Sequence, residues 1–479
     1  MISWGVSAGF HDAALTVIRD GCIVFASHSE RYSKIKNDKN LSPGLVRAAL
    51  EYGQPDIIFW YENPLLKATR RIWAGQKNWY KNPKKYFTDV GYDFKCPIEW
   101  GNHHKSHWAA GYYTRPSHFV DCATLVVDAI GEWTTTSIWK NEKKVWSSRY
   151  PKSLGLFYSA FTDRLGLKPN EDEYILMGMA AYGDPNRFFD EIEKLTHGKN
   201  LHKGVRWWRP ELTSEQDKFD IAAAVQKVFE SYLHGLLNKT KELTGQSKLV
   251  YMGGCALNCL ANRLIPQYFK EHWIMPNPGD AGSSLGAVLA GTKERVNFST
   301  AYLGHEIKGE YPVDNLLQEL LQYGIVGVAN GRAEFGPRAL GNRSLLADPR
   351  GEEMKDAVNK IKQRQEFRPF APVIRQHDVA DFFEVSKTFH SPYMQQVVKC
   401  KHKHLFPAIV HKDETSRVQT VTYASNPGLY VLLTRWYEET GCPMLLNTSL
   451  NIKGQPIVNT LNDAKKFEEY YGVKVYGSE

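Results

Sequence analysis

The sequence predicts an α/β fold of two similar lobes followed by a separate C-terminal domain. Three observations carry this. The first thirty residues read as three strands, "SWGVSAG", "AALTVI" and "CIVFASH", with a polar corner "FHD" after the first and an Asp20-Gly21 hairpin turn after the second. A similar unit recurs at 123–146, where "ATLVVD" ends at Asp128, turns at Gly131 and reverses into β-branched residues. Beyond residue 300 the chain becomes rich in glycine and arginine. At 479 residues it exceeds one ordinary core. Two lobes that each open on a hairpin suggest an actin-like or sugar-kinase-like architecture, with acidic residues and glycine turns lining a cleft. A boundary near 300–312 gives domains 1–305 and 306–479.

The elements follow in order. The N-terminus lacks a basic leader and is interrupted by Gly9, His11 and Asp12, so it reads as a strand and not as a signal peptide. No apolar run approaches the ~18 residues of a membrane span, and no membrane partner is expected. "GNHHKSHWAAGYY" (101–113) opens a helix on which His103 and His107, four apart, share a face. Residues 214–243 carry a serine before an acidic first turn and then apolar residues at helical spacing. "KLVYMGGCALNCLANRLI" reads as strand, glycine pair, helix. Seven cysteines, none in a CxxC pair, argue for a reducing cytoplasm and against a zinc ribbon. A net charge of +8 permits a polyanionic partner.

Several residues could carry chemistry. A histidine pair at this spacing also occurs by chance, and an isolated Asp in a glycine turn is commonly a cap. Together, His103, His107, Asp128 and Asp280 form a mixed nitrogen and oxygen set suited to iron(II), manganese or zinc. "MGGCALN" and "PGDAGSSLGA" place small residues where backbone N–H groups could cradle an anion, or simply permit tight packing. "GRAEFGPRALGNRSLLADPR" sets Arg332, Arg338, Arg343 and Arg350 among glycines and a proline, a loop suited to phosphate or carboxylate recognition. "QEFRPFAPV" adds Arg368, and "LLNTSLNIKGQPIV" adds Asn447, Thr448, Ser449 and Asn451.

These segments, with "SAGFHDAALTVIRDG", "VVDAIGEWTTT", "SLGLFYSAFTDRLGL", "GGCALNCLANRLI" and "FRPFAPVI", resemble the ATP-dependent O-carbamoyltransferases of nodulation-factor and antibiotic biosynthesis across nearly the whole chain. The resemblance implies an actin-like N-terminal domain of two RNase H-like halves and an α+β YrdC-like C-terminal domain. It implies that the latter forms carbamoyl-adenylate and pyrophosphate from carbamoyl phosphate and ATP with Mg2+. The former then transfers the carbamoyl group to an acceptor hydroxyl. By the same resemblance, His103, His107, Asp128 and Asp280 hold iron(II) or another divalent transition metal. His11 and Asp12 form the catalytic "HD" pair, with His11 as general base. Gly253, Gly254 and Asn258 bind adenylate. Arg332, Arg338, Arg343, Ser344, Arg368, Asn447 and Ser449 bind carbamoyl phosphate and ATP. Ile175 departs from the pattern, standing where the family has lysine.

The acceptor is read from residues 67–95. Eight Lys or Arg are interleaved there with seven aromatics against two Asp, which suits unpaired nucleic acid or a flipped base. Arg70, Arg71, Trp73, Trp79, Lys84 and Lys85 are the candidate contacts, and a hydroxymethylated pyrimidine in DNA or a nucleotide is the candidate acceptor. The alternatives are a small-molecule or sugar hydroxyl, a solvated helical surface and, in another class, a sugar-kinase-like phosphotransferase. The oligomeric state is not legible.

Overall fold

A computed structural model describes residues 1–77, 80, 82–365, 367–368 and 370–477. The chain divides into two compact units. One comprises Met1–Ser33 and Asn37–Phe298, the other Lys34–Lys36 and Ser299–Glu479.

The first unit holds two five-stranded sheets. In one, β1 (Ile2–Ser7), β2 (Ala14–Arg19) and β3 (Cys22–His28) form an antiparallel meander, and β4 (Ile57–Trp60) and β5 (Ile98–Trp100) extend it in parallel beyond β1. In the other, β6 (Ala123–Val127), β7 (Thr134–Lys140) and β8 (Lys143–Arg149) form the meander. There β9 (Lys248–Met252) and β10 (Glu271–Trp273) are the parallel extension. The orders are β3-β2-β1-β4-β5 and β8-β7-β6-β9-β10, the same topology twice. That duplication is the two-lobed, actin-like plan expected from the two hairpins. The hairpins recur because each meander is local in sequence, whereas each parallel strand returns only after a long crossover.

Two helices lie between the sheets, His103–Thr114 and Ser283–Thr292. The first is buried on all sides except Lys105, so its sequence shows no polar face. Small residues let the layers approach. A side chain at Gly5 on β1 would begin 1.9 Å from the Ser284 carbonyl oxygen, and one at Gly286 would begin 1.9 Å from that of Ser106. Close packing of this kind fixes helix positions more tightly than side-chain contact does. The long Glu215–Thr244 helix starts at a capping box between Ser214 and Asp217, as its acidic first turn predicts.

The second unit is α+β. Its main sheet has six strands: β12 (Ile325–Ala329), β14 (Arg343–Ala347), β15 (Ala371–Arg375), β18 (Gln419–Val421), β19 (Met444–Ser449) and β20 (Val475–Tyr476). The remaining strands pair as β11 (Tyr302–Ile307) with β13 (Gly331–Glu334) and β16 (Val397–Lys399) with β17 (Thr415–Arg417). Its core gathers Val326, Leu345, Val373, Leu433, Trp436 and Leu445. Among the described residues, no helix is long and apolar enough to cross a membrane.

Candidate metal centre and its surroundings

Asn102 caps the His103–Thr114 helix by accepting from the Lys105 N–H, which fixes where the first turn begins. His103 and His107 then lie one turn apart, with their Nε2 atoms 3.1 Å from each other. Asp128 follows the last residue of β6. Its Oδ2 stands 2.9 Å from His103 Nε2 and 3.8 Å from His107 Nε2. Asp280 opens the turn that leads into the Ser283–Thr292 helix. Its Oδ1 stands 3.4 Å and 3.2 Å from the same two nitrogens. All four side chains are buried, with one donor atom of each within 4.8 Å of the rest. Elements from opposite ends of the first unit therefore converge on one point.

The donor set fits a divalent transition metal. Bonds of about 2.0–2.2 Å place neighbouring ligand atoms about 3 Å apart, the spacing seen here. Two carboxylates and two imidazoles, with no Lys or Arg bonded to them among the described residues, also make a negative pocket that a dication neutralises. Ser283 Oγ lies 3.1 Å from His107 Nδ1, the outer partner that a ligating histidine ordinarily has. The charges are strongly coupled. Burial disfavours a charged His103, but Asp280 and Asp128 outweigh it and raise the imidazole to about 9. Burial also works against ionised Asp128, yet the His103 hydrogen bond and the nearby imidazoles hold it well below the usual carboxylate range. His104 is not part of the cluster. Its Nδ1 meets Ser137 Oγ at 2.9 Å, and burial, with the charge of His103, holds it neutral.

His11 and Asp12 lie in the β1–β2 loop, where Gly9 and Asp12 take positive φ. His11 Nδ1 is 3.0 Å from Asp12 Oδ2, and its Nε2 is 3.7 Å from Asp280 Oδ2. Both side chains are partly exposed, so this is where the buried cluster reaches solvent. Gly254 donates its N–H to Asp128 Oδ1 at 3.0 Å, and Gly253 holds a φ of 94° behind it. Asn258 is a helix cap whose amide is locked against Gln226, with Nδ2 donating to Gln226 Oε1 at 2.9 Å.

Sequence reasoning missed Glu132, which is buried. Its Oε1 accepts from the N–H groups of Asn63 and His103, and its Oε2 accepts from Asn102 Nδ2. The only signal was its place four residues beyond Asp128. Ser283 was missed as well, because a serine entering a helix reads as a cap.

The 67–95 segment does not form one basic face. The Pro64–Trp73 helix turns Lys67 and Arg70 inward and exposes Leu65, Leu66, Ile72 and Trp73. That reverses the usual amphipathic order. Arg71 is half-buried, while Lys84 and Lys85 are exposed on the Pro83–Asp89 helix. Trp79 lies outside the described residues.

In the second unit, Ser344 on β14 pairs with Ser449 on β19, and Asn447 sits two residues along the same strand. Asn447 Nδ2 reaches the Ala339 carbonyl at 3.3 Å, next to half-buried Arg338. Arg332 spends donors on the Leu303 and Gly304 carbonyls. Arg343 is completely buried and donates to the carbonyls of His305, Asn330, Gly331, Asn342 and Asn459. The structure thus uses Arg343 to bind loops together and does not bring it to a ligand-accessible surface. Half-buried Arg368 belongs instead with Lys362 and Arg364. Buried Lys362 donates to Asn451 Oδ1 and the Ser449 carbonyl, each at 2.5 Å. Burial, then the charges of Arg364 and Arg368, push its ammonium well below the usual lysine range. Lys362 and Arg364 were not singled out from sequence, because "KQR" in a helix reads as solvated charge. Ile175 is buried.

Two family models match the chain. A model described as "Carbamoyltransferase N-terminus" matches residues 72–211 and 209–289, and one described as "Carbamoyltransferase C-terminus" matches 317–476. The chain is 31% identical to nodulation protein NolO of Bradyrhizobium diazoefficiens, over 76% of this chain and 75% of that one. It is 27% identical to the 3'-hydroxymethylcephem-O-carbamoyltransferase of Amycolatopsis lactamdurans, over 97% and 95%. Among solved structures, the activator of 2-hydroxyisocaproyl-CoA dehydratase from Clostridium difficile aligns at a TM-score of 0.38 and 12% identity, over 61% of this chain and 95% of that one. At that distance the strand order alone carries the fold.

Proposed function

The chain belongs to the carbamoyltransferase family, and from that premise we propose that it is an O-carbamoyltransferase using ATP, Mg2+ and carbamoyl phosphate. The observation that carries this reading is the buried convergence of His103, His107, Asp128 and Asp280 beside the partly exposed His11–Asp12 pair. The second unit supports an adenylate-forming step. Lys362 donates to Ser449 and Asn451, and the nearby charges of Arg364 and Arg368 suit a nucleotide and a phosphorylated donor. In that step water releases inorganic phosphate from carbamoyl phosphate. The resulting carbamate oxygen attacks the α-phosphorus of ATP, and the bond to pyrophosphate breaks. In this reading Arg338 and Asn447 hold the donor.

In the transfer step the acceptor oxygen attacks the carbamoyl carbon, the carbon–oxygen bond to AMP breaks, and the hydroxyl proton leaves. His11 is positioned to take that proton, with Asp12 on Nδ1 orienting the ring. A divalent metal such as iron(II), which the two histidines and two aspartates would hold, would supply Lewis acidity at this point. Ser283 orients the His107 ring, Glu132 fixes the main chain at His103, and Gly254 orients Asp128. Burial of the cluster keeps bulk water from the labile anhydride.

The acceptor is an alcohol, with a hydroxymethylated pyrimidine nucleotide or DNA and a natural-product hydroxyl as the two classes to separate. The test supplies ATP and carbamoyl phosphate and follows phosphorus products. Pyrophosphate and AMP that depend on carbamoyl phosphate are expected. ADP as the nucleotide product would replace this reading with phosphotransfer.

A further inference from the structure

The inward-turned Arg70 is not explained by the transfer scheme. The residue is 8% exposed, its Nε is buried without a partner, and no side-chain hydrogen bond or ion pair is seen for it among the described residues. Lys67, the other inward cation of that helix, is matched by Glu62 at 2.6 Å, so Glu62 does not serve Arg70 in the same way. A guanidinium whose Nε is buried without a contact partner is costly at that nitrogen, and a ligand reaching its other nitrogens would offset the cost.

Its surroundings indicate which ligand. Tyr150, Glu132 and Glu62 lie within electrostatic reach of Arg70. Glu132 also carries the N–H of His103, which ties the neighbourhood of Arg70 to the candidate metal centre. On the outer side, Trp73 is 64% exposed and its ring meets Trp133 at 5.9 Å and Tyr150 at 5.7 Å. Trp133 is anchored to the same helix through Thr69 Oγ1. Arg70 thus shares its helix with an exposed aromatic face and lies within electrostatic reach of Glu132, the carboxylate that holds the N–H of His103.

We propose that Arg70 anchors an oxyanion, a phosphate or a carboxylate, carried by the acceptor alcohol, whose body packs against the rings of Trp73, Trp133 and Tyr150. The inference rests on the transfer reading above and names the acceptor class it leaves open. A purely apolar protein partner would cover Trp73 and Ile72 but would leave the guanidinium unmatched. An oxyanion beside a planar or apolar body satisfies both features, and a guanidinium fork offers it two parallel hydrogen bonds.

The test uses the full-length, metal-loaded protein and calorimetric titration with two probe pairs that differ in their anion. One is 5-hydroxymethyl-2'-deoxycytidine 5'-monophosphate against its nucleoside. The other is 4-(hydroxymethyl)benzoate against its methyl ester. At least one anionic probe should bind tenfold or more tightly than its neutral mate, and which pair shows the gap separates phosphate from carboxylate. Arg70→Met should shrink that gap to less than twofold, Arg70→Lys should retain part of it, and Trp73→Ala should weaken both members alike. Because Arg70→Met removes an unpaired buried charge, its melting temperature should hold or rise. A fall would mark a structural arginine and overturn the proposal, as would equal binding within both pairs or a gap that survives Arg70→Met. Binding is read without turnover, so an anion gap without carbamoyl transfer would sink the transfer reading alone. Transfer without a gap would sink the anchor alone.

Discussion

Ser283 Oγ stands 3.1 Å from Nδ1 of His107, so the nitrogen turned away from the carboxylates is itself held by a hydroxyl. A histidine gripped from behind presents its Nε2 at a fixed angle. Purified protein is therefore expected to carry about one divalent transition metal per chain. His107→Ala and Asp280→Ala should each empty the site in elemental analysis, while Ser283→Ala should weaken metal affinity by about 10–100-fold. Full occupancy in both ligand variants would end the metal assignment.

Lys362→Met separates the two half-reactions. It removes a buried amine donor that touches Asn451 and Ser449 in the second unit, leaving the first unit's residues untouched. Pyrophosphate release driven by carbamoyl phosphate should fall by about 10²-fold or more, the scale of losing a preorganised donor. Undiminished release would show that Lys362 is only a packing residue.

Gly286→Val tests the helix crossing. Its first side-chain carbon would begin 1.9 Å from the Ser106 carbonyl oxygen, so the two central helices must separate. A loss of roughly 1–3 kcal/mol is expected on the scale of overpacked cores. Metal affinity should fall with it, since the two helices carry His107 and lead from Asp280. A melting curve and a metal titration on one preparation check both.

Stability should also depend on pH through His28. Its imidazole is buried and Nε2 meets Asn277 Nδ2 at 2.9 Å. Burial, then the charge of Arg31, push it down to about 4. The neutral form is thus favoured by folding, and the unfolded chain binds the proton more readily. The contribution is fully present above about pH 6.5 and is lost as pH falls toward 4, roughly 3 kcal/mol in all. Denaturant midpoints at pH 7.5, 5.5 and 4.5 should show that slope in the parent chain, and His28→Gln should flatten it. Parallel slopes in the two proteins would contradict it.

Much of the first unit was legible because its signals are local. The Asp20-Gly21 turn, the strand ending at Asp128 and the Ser214–Asp217 cap each act within a few residues, and each marks an element that is observed. His103 and His107 were legible as a pair because helical spacing alone places them on one face. Asp280, more than 170 positions later, could be grouped with them only by donor chemistry, which the resemblance then supported, since no local rule links a loop to a distant helix. Glu132 and Lys362 were illegible for another reason. A single charged residue in a turn or helix reads as solvated until its burial is known. The Pro64–Trp73 helix was misleading. Its basic residues suggested an outward face, but burial depends on what the helix packs against, and here the charges face inward.

Asn63 caps the Pro64–Trp73 helix, and its N–H ends on the same Glu132 oxygen that takes the N–H of His103. The helix bearing Arg70 and the helix bearing the histidines therefore begin from one carboxylate atom. Such a shared origin acts as a ruler. The span from guanidinium to reacting centre is set by two helix starts and one side chain, none of which can stretch. An acceptor whose anion and hydroxyl lie at another separation would engage one end and miss the other, so selection among alcohols would act on length as much as on chemistry.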